Sequence, residues 1–187
     1  EEQYVEAPVR AVDDKTLLDR VEHSEEARER VRGHIADILA LEAPIEKTEL
    51  LRRVALRMSH KRLRDRIAAQ IAPLVSQRTL AEDDGREFVW SDEQDPEAYN
   101  VYRVPGPGQA ARNLQDMSQR ELGNASVAAL SQDGAATGAD LLAEVVEMFG
   151  GRRTSKPAQD AFNRAISLAE RSGRITRTAE ADGLTLG

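Results

Sequence analysis

Between Glu42 and Trp90 the spacing of apolar residues switches from strand-like to helical and back again. Ala43-Pro44-Ile45 reads as a short strand. Leu50, Leu51, Val54 and Met58 form one helical stripe, and Leu63, Ile67, Ile71, Leu74 and Val75 form the next. Thr79-Leu80-Ala81 and Phe88-Val89-Trp90 then flank Asp83-Asp84-Gly85, and Asp-Gly between two short apolar runs signals a hairpin. Strand, helix, helix and hairpin is the order of a winged helix-turn-helix.

The rest of the chain frames this stretch. Residues 1–11 read as an extended arm or edge strand containing Pro8, and Lys15–Val21 as a short helical turn. Ser24 offers an N-cap to a helix that buries Val31, Ile35, Ile38 and Leu39. The helix after it spans about 46–58, with acids first and bases last. Ser59 and His60 make a turn, and a third helix is expected over about 61–77, kinked at Pro73. In that helix Pro73 shares the solvent face with Arg62 and Arg66.

A connector follows at 93–113, closed by the breaker Pro105-Gly106-Pro107-Gly108, with a short strand at Tyr99–Val104. Ser118-Gln-Arg-Glu121 reads as a capping box, with Met117 and Leu122 as its staple. This helix carries Gly123, which weakens it, and breaks at Asp133-Gly134. Thr137-Gly-Ala-Asp140 caps the next helix, whose stripe is Leu141, Leu142, Val145, Val146 and Phe149, and Gly150-Gly151 stops it. After a basic turn at Arg152–Ser155, Pro157 sits at a first helical position. Ala158, Phe162, Ala165, Ile166 and Ala169 form the last stripe. Arg174–Thr178, the turn Ala181-Asp182-Gly183 and Leu184–Leu186 make a second hairpin.

The second half therefore repeats the first. Shifted by 91 residues, Leu39 matches Leu130, Leu50-Leu51 match Leu141-Leu142, Val54 matches Val145 and Arg62 matches Arg153. After a four-residue insertion, Ile67 faces Phe162, Ile71 faces Ile166 and Leu80 faces Ile175. Tyr4 and Tyr99 stand in the two extended arms. The expected fold is mainly α with short β-hairpins, a tandem repeat of two winged-helix-like units. Residues 1–92 form the arm and first unit, 93–113 the connector and 114–187 the second unit.

Several motifs resemble a C-terminal domain of unknown function found on large bacterial superfamily I DNA helicase-like proteins. They are Glu42-Ala-Pro-Ile45, Glu49–Val54, Lys61-Arg62 leading to Arg66-Ile67, Phe88-Val-Trp90, Tyr102–Pro105, Ala111-Arg112, Met117–Glu121 and Arg152-Arg-Thr154. The resemblance covers most of residues 1–178. The first half lacks the Thr-Gly pair that follows Lys-Arg in that family, and the second has Thr154-Ser155. The resemblance implies an auxiliary module of a helicase-like enzyme and carries over no catalytic residue.

The net charge of −7 is uneven. Ten Lys/Arg stand against five Asp/Glu between Arg32 and Leu80, and seven against two between Gly150 and Thr178. Residues 1–30 hold ten acids and five bases, so local fields of both signs coexist. No enzyme site is apparent. Gly150–Lys156 only superficially resembles a phosphate loop, because it follows a helix. His23, His34 and His60 lack a metal-ligand spacing, and Asp13-Asp14 and Glu82-Asp83-Asp84 read as cap and turn residues. Asn124-Ala-Ser126 fits a glycosylation sequon but falls in a helix. No cofactor or metal is expected. The chain opens at Glu1 without Met or a signal peptide and has no cysteine, which is read as a fragment of a cytoplasmic protein with no membrane partner.

The positive expectation is nucleic acid. In a winged helix the third helix enters the major groove and the wing touches the backbone. That singles out Lys61, Arg62 and Arg66 in the first unit, and Arg152, Arg153, Lys156, Arg164, Arg174 and Arg177 in the second. Such groups bind phosphates of DNA or RNA weakly and with little sequence preference. The competing expectation is docking on a protein, foremost the motor domain of the parent chain. The first wing carries Glu82, Asp83 and Asp84, which repel phosphates.

Overall fold

A computed structural model describes residues 1–10, 12–179 and 182–187, leaving aside the side chain of Asp133. Among these the chain is mainly helical, with small sheets. It divides into two compact units, residues 5–95 and residues 1–4 with 96–187. The division differs from the expected one in two places. The first four residues belong to the second unit, and so do residues 96–113, read above as connector.

In the unit of residues 5–95, α1 (Thr16–Arg20) precedes α2 (Glu25–Glu42), which starts where expected: Ser24 Oγ accepts from the Ala27 N–H at 3.2 Å. β2 (Ile45–Glu46) leads into α3 (Lys47–Arg57), then α4 (Asp65–Ile71) and a 3-10 turn over Ala72–Leu74. β3 (Thr79–Ala81) and β4 (Glu87–Val89) complete an antiparallel sheet in the order β2-β4-β3. Gly85, at φ 81°, supplies the left-handed residue of the hairpin turn, and the Gly85 N–H donates to Glu82 O at 2.9 Å. Val31, Ile35 and Ile38 from α2, Leu50 and Val54 from α3, Ile71 from α4 and Val89 from β4 form the core.

The third helix is shorter than its apolar spacing suggests. Arg64 is extended, so α4 begins only at Asp65, whose carboxylate suits the helix's positive end. Pro73 has no N–H to donate, and the helix tightens to 3-10 before it instead of continuing kinked to residue 77. Lys61 and Arg62 consequently lie in the turn before α4, not on it. Leu63 and Val75, which the spacing places on the helix, still pack on the core from either side of it.

In the other unit, β1 (Glu2–Tyr4) pairs in parallel with β5 (Arg103–Pro105), Gln3 opposite Val104. The strand expected at Tyr99–Val104 is thus shorter and later, and Tyr99 has no strand position equivalent to that of Tyr4. A 3-10 turn (Leu114–Asp116) leads to α5 (Gln119–Asp133), then β6 (Ala135–Thr137), α6 (Gly138–Met148), α7 (Lys156–Arg171), β7 (Ile175–Arg177) and β8 (Gly183–Leu186). The sheet order is β6-β8-β7, again with the first strand beside the last. The sequence reading has no β6, because Ala-Ala-Thr has little strand propensity and only the ladder with β8 makes it one. Of the expected hairpin turn Ala181-Asp182-Gly183, Ala181 lies outside the described residues.

Small side chains let α5 and α7 pack closely. Ala125, Ala129, Ala165 and Ala169 are fully buried, joined by Leu122, Leu141, Val145, Phe149 and Phe162. Gly123 has a packing reason: a Cβ there would stand 3.3 Å from the Arg174 guanidinium and 3.6 Å from Ala165 O. Asn124 is buried; its amide donates to Tyr99 O and Val101 O at 3.1 and 2.9 Å.

Candidate nucleic-acid interface

The basic turn before α7 is built by the end of α6. Gly150 takes φ 78°; its N–H donates to Glu147 O at 2.8 Å and the Gly151 N–H donates to Val146 O at 2.9 Å. This pair of bonds is the Schellman motif. It explains the two glycines and removes any likeness to a phosphate loop, since both N–H groups are used inside the protein. The same motif ends α3: the Ser59 N–H donates to Leu56 O and the His60 N–H to Ala55 O, with Ser59 at φ 62°. Ser59 and Gly150 are 91 residues apart, the spacing of the sequence repeat.

From Gly151 the chain is exposed through Pro157 apart from Gly151 itself, so Arg152 and Arg153 stand in solvent. Neither makes an ion pair among the described residues. Ser155 caps α7, its Oγ accepting from the Ala158 N–H at 3.3 Å, and Pro157 fills the first turn as expected. Lys156 is exposed and pairs with Asp160 at 2.7 Å. Arg164 is half-buried. On the hairpin, Arg177 pairs with Glu170 at 2.7 Å.

Arg174 is a different case. Its guanidinium donates to Asn124 Oδ1 at 2.5 Å and to Ser172 Oγ at 3.2 Å, and it is half-buried beside α5. Burial, then repulsion from Arg120, lowers its pKa from the usual guanidinium value. Its hydrogen bonds and its contact with Gly123 make it part of the packing between the hairpin and α5, in addition to any role at the surface.

In the first unit, Lys61 and Arg62 are exposed in the turn and Arg66 is exposed on α4. Arg66 donates to Asp19 of α1 at 2.8 Å, and Gln70 Nε2 donates to Leu18 O at 3.2 Å. Leu17 and Leu18 are each 1% exposed, so α1 is anchored in the core beside α4. The Asp19–Arg66 pair is solvent-exposed on both sides, and such pairs contribute at most about 1 kcal/mol. The acids of the hairpin turn are held locally: Asp84 accepts from Arg86 Nε at 2.9 Å.

Ala7, Val12 and Asp13 of the N-terminal arm are tied to α2 and α3. The Ala7 N–H donates to the buried Glu42 carboxylate at 2.9 Å, and the Val12 and Asp13 N–H groups donate to Arg57 O at 2.8 and 3.0 Å. Asp13 takes His34 Nε2 at 2.7 Å and Arg30 as side-chain partners. His23 is exposed, and His60 follows Ser59 in the turn after α3. Among the described residues no three His, Asp or Glu side chains gather to hold a metal ion.

Sequence reasoning missed a buried ion cluster. Glu121 Oε1 accepts from the Arg103 N–H (3.0 Å), Arg103 Nε (3.0 Å) and Arg112 Nη1 (2.7 Å), and Oε2 accepts from Arg103 Nη2 (2.8 Å) and Arg112 Nη2 (3.3 Å). The Glu121 side chain is fully buried. Burial acts to raise its pKa, but Arg103 and Arg112 outweigh it and hold the carboxyl below the ordinary carboxylate range. The Tyr4 ring lies 4.1 Å from the Arg112 guanidinium, which binds β1 into the cluster. Only half of the capping box forms: Ser118 Oγ accepts from the Glu121 N–H at 3.2 Å, while the carboxylate turns to the arginines. A carboxylate so fully saturated and locked in its ionised form has no lone pair or proton for acid–base chemistry. Charge spacing in the sequence carries no sign of this cluster, because its members come from β5, the following loop and α5.

No helix among the described residues is long and apolar enough to cross a membrane. No curated protein and no solved structure matches the chain. Residues 23–72, which run from the turn before α2 to the start of the 3-10 turn after α4, match a family described as a protein of unknown function, DUF3320. The match covers only part of the first unit, and the family's description gives no function.

Proposed function

We propose that this chain is a non-catalytic module of two winged-helix-like units that contacts nucleic acid mainly through backbone phosphates, as an accessory part of a cytoplasmic helicase-like protein. The observation that carries the reading is the exposed basic turn Arg152-Arg153 leading into the N-terminal end of α7. Unpaired guanidinium groups beside a helix N-terminus suit phosphate oxygens. Support for two related units comes from the common order of helix, strand, helix, helix and hairpin, the common sheet order and the Schellman motif at Ser59 and Gly150. The resemblance to helicase-associated domains supports the parent context.

The two units are not equivalent in this role. In the first, α1 flanks α4 and engages Arg66 and Gln70, which favours a second reading for that unit: docking on a protein, foremost the parent's own motor domain. Lys61 and Arg62 remain exposed there. The test is a low-salt titration of the chain against labelled duplex DNA, forked DNA and single-stranded RNA. Weak binding that disappears as salt rises is the expected result. No binding to any of the three overturns the nucleic-acid reading and leaves docking.

A further inference from the structure

We propose that Gln159 and Asn163 of α7 read base edges in the major groove of duplex DNA, giving the second unit a sequence preference beyond backbone contact. The inference rests on the nucleic-acid reading above and extends it.

One face of α7 is committed to the core through Ala158, Ala161, Phe162, Ala165, Ile166 and Ala169. Gln159 and Asn163 are four residues apart, so they lie one above the other on the helix surface. Both are exposed, and neither side chain has a hydrogen-bond partner among the described residues. The charged residues around them are already engaged: Lys156 with Asp160, and Glu170 with Arg177. The unsatisfied polar groups in the N-terminal half of α7 are therefore two amides, not ions. An amide offers a donor and an acceptor side by side, the pattern that matches adenine N6 and N7 in the major groove.

The dimensions agree. A helix with its side chains is about 10–12 Å across and the major groove is about 12 Å wide. One helical turn rises about 5.4 Å, which spans between one and two base-pair steps of about 3.4 Å. The N-terminal residues of an inserted helix are the ones that meet base edges. Arg152 and Arg153, in the turn just before α7, are placed to hold the flanking phosphates. Asp160 stands about 100° around the helix from Gln159, to one side of the two amides, and is paired with Lys156.

The experiment is selection from a pool of randomised short duplexes with the full chain, followed by binding titrations. The wild-type chain is expected to enrich a short motif containing adenines one or two steps apart, and to bind it at least about tenfold more tightly than a scrambled duplex. The Gln159→Ala/Asn163→Ala variant replaces exposed residues with a strong helix former, so it folds. It is expected to bind the scrambled duplex as the wild type does and to show no preference for the enriched one. Wild-type binding without enrichment, or a variant that keeps the preference, overturns this inference while leaving the backbone-contact reading in place. Absence of any DNA binding by the wild type overturns both.

Discussion

Replacing Glu121 with Gln removes the carboxylate that pairs with two buried guanidinium groups. The Arg103 and Arg112 side chains are 6% and 13% exposed, and Glu121 accepts hydrogen bonds from both guanidinium groups. An amide keeps the shape but supplies no charge, and its NH₂ faces donors. Leaving such cations without their partner costs about 3–5 kcal/mol, against a total stability of about 5–15 kcal/mol for a domain. With a urea slope of about 1–2 kcal/mol per molar, the midpoint of that unit falls by about 1.5 M or more. The single tryptophan, Trp90, lies buried in the other unit. Glu121→Gln is therefore expected to shift the far-UV circular dichroism transition of the second unit while the Trp90 fluorescence transition stays in place. The pH dependence follows. Because the folded-state pKa of Glu121 is lowered, its contribution is complete above the unfolded carboxylate pKa, about 4.3, and is lost as pH falls through the lower folded value. The variant lacks that acid-side loss. A change below about 0.5 kcal/mol in the second unit would refute the reasoning that this cluster holds β1 and β5 to α5.

Other consequences follow from the same geometry. Gly150→Ala forces a Cβ into a left-handed position with Ala111 Cα 3.4 Å away and is expected to destabilise the second unit by about 1–2 kcal/mol in urea titration. Leu18→Ala empties a fully buried site under α1 and is expected to cost the first unit about 2–5 kcal/mol, read by Trp90 fluorescence. Asp19→Ala breaks only an exposed pair, so its stability change stays below about 1 kcal/mol by the same assay. In DNA titrations, charge reversal at Arg62 and Arg66 is expected to weaken binding less than reversal at Arg152 and Arg153, because Arg66 is already engaged by α1.

What the sequence made legible were the features set by local chemistry. Caps at Ser24 and Thr137, the glycine stops at Gly150 and Gly173 and both hairpins are short-range choices of backbone geometry, and each stands where residue type and spacing place it. Features set by partners distant in the chain were not legible. β6 exists because β8 pairs with it, and β1 pairs with a strand about a hundred residues away. The length of α4 was misread because Leu63 and Val75 continue the helical spacing while packing from outside the helix. For the candidate interface, residue type alone identified the exposed arginines at 62, 152 and 153. It did not distinguish them from Arg174, which has the same charge but is anchored on Asn124, nor from Arg66, which α1 engages.

The slope of binding affinity against salt concentration tests the nucleic-acid reading most directly, since each neutralised phosphate contributes about −0.9 to it on duplex DNA. Three or four contacts from Arg152, Arg153, Lys156 and Arg177 give a slope of about −3, and the Arg152→Glu/Arg153→Glu variant should reduce its magnitude by about 2. A wild-type slope near zero, or a variant that binds with the wild-type slope, would contradict it.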